Sequence, residues 1–191
     1  MTVTPTLRER QAPLKARYES DPDSAKLTIT VRSTTEGTEP TRVRIGSDAA
    51  GGVEWEVGAH PYAGGVGDLA CSGDVLLASL AACQEITLRM VAAAMGITLH
   101  EVEVTVHGDM DFRGTMGIDP ETPVGFQRIR TEIRVVADAP EDRLQRLAQR
   151  AERYCVVAST LRQSPVMELS FSVDGQTGPK GYPRSGGQNE N

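Results

Sequence analysis

A chain of 191 residues is long enough for one domain with a complete hydrophobic core. Its 20 Lys and Arg against 26 Asp and Glu give a formal charge of −6 with no basic run, so no nucleic-acid partner is expected. The N-terminus MTVTPTLRERQAPLKARYES has no apolar h-region, which points to a cytoplasmic protein with no membrane partner. Cys71, Cys83 and Cys155 form no C-x-x-C pair, and an odd count suits reactive or buried thiols better than a disulfide framework.

Residues 1–23 carry Pro5, Pro13 and Pro22 among many charges and are expected as an extended leader or an arm toward a partner subunit. The domain itself is placed at 24–174. Lys26–Arg32, Thr41–Ile45 and Val53–Val57 alternate polar and apolar residues, predicting three strands in an antiparallel meander. His60–Gly67 is a glycine-rich loop. The central stretch runs from Ala70 to Gly96. Leu76, Leu80, Cys83, Thr87, Met90 and Ala94 recur there at three- and four-residue steps, the pattern of one helical face. Asp74 supplies chemistry for the N-terminus and Gly96 the stop. Glu85 and Arg89, four apart, mark an exposed face, so this is read as a core helix and not an anchor.

Ile97–His107 reads as a strand, Gly108–Gly125 as a long loop suited to a lid or a dimer contact, and Phe126–Ala137 as the longest strand. A second helix opens near Pro140, with Leu144, Leu147 and Ala151 on one face. Cys155 follows it, then a short helical turn over Val156–Gln163 and a closing strand over Val166–Val173. Residues 175–191 have the composition of a disordered tail. The order is that of an α+β domain.

Gly65-Val66-Gly67-Asp68-Leu69-Ala70 matches a G-x-G-x-x-A string, but the helix begins too late to hold a pyrophosphate, so a structural loop is expected and no cofactor. His60, His100 and His107 are scattered without a ligand spacing, so no metal is expected; a Cys–His nucleophile pair stays open. A lone cysteine on an apolar stripe is by default core. A second cysteine at the mouth of another helix, beside Arg153, alters that balance, because backbone N–H groups there favour a thiolate.

The run Asp74-Val75-Leu76-Leu77-Ala78-Ser79-Leu80-Ala81-Ala82-Cys83, followed by Thr87-Leu88-Arg89 and Gly96-Ile97, resembles the acid-x-L-L-x-A-x-x-A-C segment of the OsmC/Ohr-like proteins. Cys155 with Ser159-Thr160-Leu161 is similar to that family's C-P-V-S-x-T-L block, and Val102–Asp109 looks like its strand after the helix. The chain carries Asp74 where the family usually has Glu, and Val156 where Pro is common.

What the resemblance implies is antiparallel sheets around a central buried helix in an intertwined homodimer. It also implies a thiol-dependent peroxidase acting on organic hydroperoxides and recharged by a dithiol reductant. Cys83 would be the peroxidatic cysteine, Cys155 the resolving one and Asp74 the acidic position; Arg42 and Arg44 are the candidates for the arginine beside the thiolate. Cys71 matches no family role and is expected as a buried structural thiol. The alternative is a non-catalytic small-molecule-binding or redox-sensing domain of the same fold, in which the cysteines pack or signal.

Overall fold

The computed structural model describes residues 6–35, 38–47 and 52–172. In chain order they form α1 (Leu7–Ser20), β1 (Val31–Thr34), β2 (Arg42–Ser47), β3 (Val53–Gly58), α2 (Ser72–Ala94), β4 (Leu99–Asp109), α3 (Phe112–Thr115), β5 (Arg128–Ala137), α4 (Glu141–Tyr154) and α5 (Val156–Arg162). This is an α+β arrangement with two antiparallel sheets, β1-β2-β3 and β4-β5. Alternation sets the register of both. Val43 lies opposite Val57 and Ile45 opposite Trp55, while Val102 meets Val135 and Val104 meets Ile133 across the longer pair.

The half-buried face of β4, including Val102 and Val106, lies against α2, as do α4 and α5. Two clusters result. Leu88 and Ala92 of α2 join Ile97, Leu147 and Ala151; one to two turns earlier, Leu80 joins Cys155 and Ala158, with Cys83 packed against them. The helix that organises both clusters is defined at each end. Cys71 is the cap, its sulfur accepting the Asp74 N–H at 3.4 Å while the Asp74 carboxylate accepts the Cys71 N–H at 2.9 Å. At the other end Gly96 takes a left-handed φ of 65°, which lets Gly96 and Ile97 donate back to the carbonyls of Ala93 and Ala92. Ile97 thereby enters the same cluster as Ala92.

The glycine string before α2 is structural: a Cβ on Gly65 would sit 1.8 Å from the Ala59 carbonyl oxygen, and Asp68 within it pairs with Arg42. The long segment after β4 is not uniform loop, because Gly108 and Asp109 complete β4 and Phe112–Thr115 forms α3.

Three expectations fail, each for lack of a signal or of a partner. The leader is helical over Leu7–Ser20, not extended. Thr6 and Glu9 form a reciprocal cap strong enough to start a helix despite Pro13, and since none of its residues is buried no apolar period announced it. Of the strand expected at Lys26–Arg32 only Val31 and Arg32 lie in β1, with Leu27 and Ile29 largely exposed. The closing strand over Val166–Val173 is absent as far as Ser172; Val166, Met167, Leu169 and Phe171 are exposed, and alternation alone makes no ladder where the chain offers no neighbouring strand. Val173 and the expected tail lie outside the described residues.

Leu88, 2% exposed, anchors the larger cluster, so Leu88→Ala should cost about 2–5 kcal/mol in chemical denaturation. Arg10→Ala on the exposed face of α1 should change stability by less than about 0.5 kcal/mol in the same measurement.

Candidate active site

Cys83 lies on the face of α2 that also presents Leu80 and Thr87, one turn to either side. Opposite it the polypeptide leaves α4 at Tyr154 and spends one extended residue, Cys155 (φ −73°, ψ 109°), before starting α5. That residue is wholly buried. Its sulfur caps α5 by accepting the Ala158 N–H at 3.5 Å, which leaves the N–H groups of Val156 and Val157 facing α2. Leu80, Val106, Ile129, Val157 and Ala158 close an apolar wall around the two thiols.

The two sulfurs are electrostatically unequal. Burial pushes the Cys83 thiol up, but the Val157 N–H, the Cys155 thiol, the Val156 N–H and the Thr87 hydroxyl all donate toward it, and its pKa falls below the ordinary cysteine value. Burial pushes Cys155 up and is only partly offset by the Ala158 N–H; donating to Cys83 raises it further. Of the two, Cys83 is the one whose thiolate is favoured and Cys155 the one whose thiol is favoured. Both are free cysteines.

The other sequence-derived candidates lie elsewhere. Asp74 is held in the cap of α2, where the Cys71 N–H and thiol keep its carboxyl below the usual range. It precedes Cys83 by nine residues, about 13 Å and half a turn around the axis. Arg42 pairs with Asp68, and Arg44 reaches Glu54 at 3.8 Å. His100 pairs with Asp138 at 2.7 Å, His107 lies 3.9 Å from Glu132, and His60 stacks on Phe112 at 4.9 Å between ring centroids.

Cys71 is half-buried at the helix start, about 18 Å of helix from Cys83. It borders an apolar pocket of about 450 Å³ walled by His60, Phe112 and Phe126, where the glycine-rich loop meets the segment after β4. A structural role as helix cap replaces the expectation of a plain core thiol.

Thr87 was not recognised as a site group from the sequence, and the N–H groups at the mouth of α5 were expected to act on Cys155, whereas those of Val156 and Val157 lower the pKa of Cys83. One signal was present at 156, since a valine keeps the N–H that a proline would lack.

Residues 65–170 match the family model of the OsmC-like proteins, and the chain belongs to that family. Among solved structures, an OsmC-like protein from Mycoplasma pneumoniae is similar at 19% identity and TM-score 0.59, over 73% of this chain and 90% of that one. An organic hydroperoxide resistance protein OsmC from Legionella pneumophila follows at 18% identity and TM-score 0.56, over 73% and 92%. An organic hydroperoxide resistance protein from Elizabethkingia anophelis stands at 21% and 0.54, over 73% and 91%. No curated protein sequence matches the chain. At these identities the structural likeness shows the fold alone.

The unequal pair predicts an order of labelling. With iodoacetamide near pH 7 in a Cys71→Ser background, peptide mass spectrometry should find Cys83 alkylated at least about tenfold faster than Cys155, because only Cys83 has its thiolate favoured. Equal rates would contradict the assignment.

Proposed function

We propose that this protein is a thiol-dependent peroxidase that reduces organic hydroperoxides. The observation that carries the reading is the packing of Cys83 against the wholly buried Cys155, with the Cys83 pKa lowered and the Cys155 pKa raised. The Cys83 thiolate attacks the distal oxygen of ROOH, the O–O bond breaks, and the alkoxide leaves as ROH after taking a proton. Cys83 becomes a sulfenic acid. Its negative charge is then gone, the interaction that held Cys155 protonated goes with it, and Cys155 attacks the Cys83 sulfur. The S–O bond breaks, water leaves and a Cys83–Cys155 disulfide forms. A dithiol reductant, acting in the cytosol, restores both thiols by exchange.

The wall of Leu80, Val106, Ile129 and Val157 supports an apolar substrate over hydrogen peroxide. Of the apolar residues of α2 near Cys83, Leu80 is in this wall, whereas Ile86 and Met90 are exposed. A second reading, a small-molecule-binding domain of the same fold, has one observation in its favour, the pocket beside Cys71.

The reading extends to a homodimer. Only Leu80, Leu88 and Ala92 of the 23 residues of α2 are buried within the chain, and Leu76, Ile86 and Met90 stand exposed on an otherwise apolar helix. A second copy covering that surface would complete the core.

One equivalent of cumene hydroperoxide should join Cys83 to Cys155 within one chain, with no Cys71 linkage, in non-reducing peptide maps. Unchanged free thiols would favour the binding-domain reading. Cys83→Ser should abolish thiol loss while the melting temperature stays within a few degrees, about 1 kcal/mol in a domain of this size. Light scattering should return twice the 20.5 kDa chain mass. A monomer that consumed peroxide would show that no second subunit is needed.

A further inference from the structure

A disulfide between Cys83 and Cys155 can be opened at either sulfur, and the fold treats the two sulfurs differently. Cys155 is wholly buried by its own chain in a cluster with Leu80 and Ala158, while Cys83 is only half-buried at the margin of that cluster. We propose that the reductant's thiol attacks Cys83 and not Cys155, so that the mixed disulfide of the recharging step forms on Cys83; the proposal rests on these two cysteines being the redox pair.

The position of Cys83 on α2 carries the argument. Going round the helix from Cys83, Leu80 lies about 60° one way, and Ser79 about 40° and Ile86 about 60° the other. Leu80 is 4% exposed, whereas Ser79 is exposed and Ile86 is 57% exposed. Cys83 therefore stands where the packed face of α2 gives way to its open face. Thiol–disulfide exchange depends on access to the sulfur that is struck. An incoming thiolate reaches Cys83 from the open face, but Cys155 presents it no surface at all.

A depression of about 430 Å³ between Arg153, Ser159 and Gln163 borders Cys155. It gives no way in, because Cys155 is 0% exposed there as everywhere else. A second copy covering α2 leaves the asymmetry intact. Cys155 is sealed before any partner arrives, and whatever opening admits a hydroperoxide to Cys83 also serves a thiol.

Leaving-group chemistry alone favours the opposite sulfur, since attack on Cys155 would expel Cys83, the more stable thiolate of the two. Access decides the first step, because a sulfur without surface is not struck until the fold opens locally. In that step RS⁻ bonds to the Cys83 sulfur, the Cys83–Cys155 bond breaks, and the Cys155 thiolate takes up a proton, as its burial favours. Protonated, Cys155 does not attack back. In the second step the reductant's other thiolate attacks the reductant sulfur bonded to Cys83, closes the reductant's own disulfide, and expels Cys83 as the thiolate its surroundings favour. The cysteine pair gains two electrons and the dithiol loses two.

The test makes the disulfide without peroxide and reads the adduct. Cys71→Ser protein is oxidised with diamide, freed of the reagent and exposed to 2-mercaptoethanol, a monothiol with no second sulfur to displace Cys83. Samples are quenched in acid within seconds, unfolded with N-ethylmaleimide and mapped by peptide mass spectrometry. The expected product carries mercaptoethanol on Cys83 and maleimide on Cys155, in at least about tenfold excess over the reverse arrangement. A second arm is Gln163→Trp, which fills the depression beside Cys155. Its disulfide should be reduced by dithiothreitol at a rate within about twofold of the parent.

An adduct chiefly on Cys155, or shared equally, would overturn the proposal, as would a loss of about tenfold or more in the Gln163→Trp reduction rate. Failure of diamide to join the two cysteines would overturn it as well. If diamide joins them but cumene hydroperoxide consumes no thiols, the peroxidase reading falls while the adduct still decides which sulfur is attacked.

Discussion

At Cys155 the backbone leaves the helical region for a single residue and then re-enters it, and the arrangement of the site depends on that interruption. A continuous helix through 155 would have hydrogen-bonded the N–H groups of Val156 and Val157 to carbonyls one turn earlier. The break frees them. It also turns the Cys155 side chain inward as the cap of α5, where Leu80 and Ala158 bury it completely against Cys83. One backbone event thus supplies the second thiol, two donors for the first, and the dry environment that makes those donors effective.

The interruption works only because α2 is held in place independently of it. The larger cluster of Leu88, Ala92, Ile97, Leu147 and Ala151 fixes α2 against α4 and the β4–β5 sheet. Cys83 and Cys155 then meet at the edge of a rigid assembly, with Val106 and Ile129 from the sheet completing the wall. Stability and chemistry are placed one to two helical turns apart on the same element. The residues that give the site its character need not carry the fold.

The polarisation of the pair follows from who donates to whom. Cys155 lies deeper, and burial with the neighbouring Cys83 raises its pKa against the Ala158 and Val157 N–H groups, whereas the donors around Cys83 lower its pKa despite burial. Asp74 does not take part within this chain, because both its partners are at Cys71 and the helix turns it away from Cys83. An acidic residue in a recognisable run can therefore serve the cap of a helix while the thiol chemistry is set elsewhere.

Much of this was legible in the order of the residues. The apolar period over Leu76, Leu80, Cys83 and Thr87 identified α2, the alternation in 97–107 and 126–137 identified the long strands, which begin two residues later at Leu99 and Arg128, and Cys155 at the junction of two helical patterns marked the second thiol. These signals are local, since spacing along the chain reports which face a side chain will take. The N-terminal helix was missed because its start is signalled by the Thr6–Glu9 cap and its side chains bury nothing. The strands expected near Leu27 and Val166 were over-read because alternation says which face a strand would bury but not whether a partner exists for its backbone. Only three-dimensional packing decided that Arg42 and Arg44 turn to Asp68 and Glu54, that Asp74 caps the helix, and that the start of α5 packs with Cys83 and lowers its pKa. Hydrogen-bond partners are chosen by distance after folding, and no periodicity in the chain encodes a donor that arrives from a residue 73 positions away.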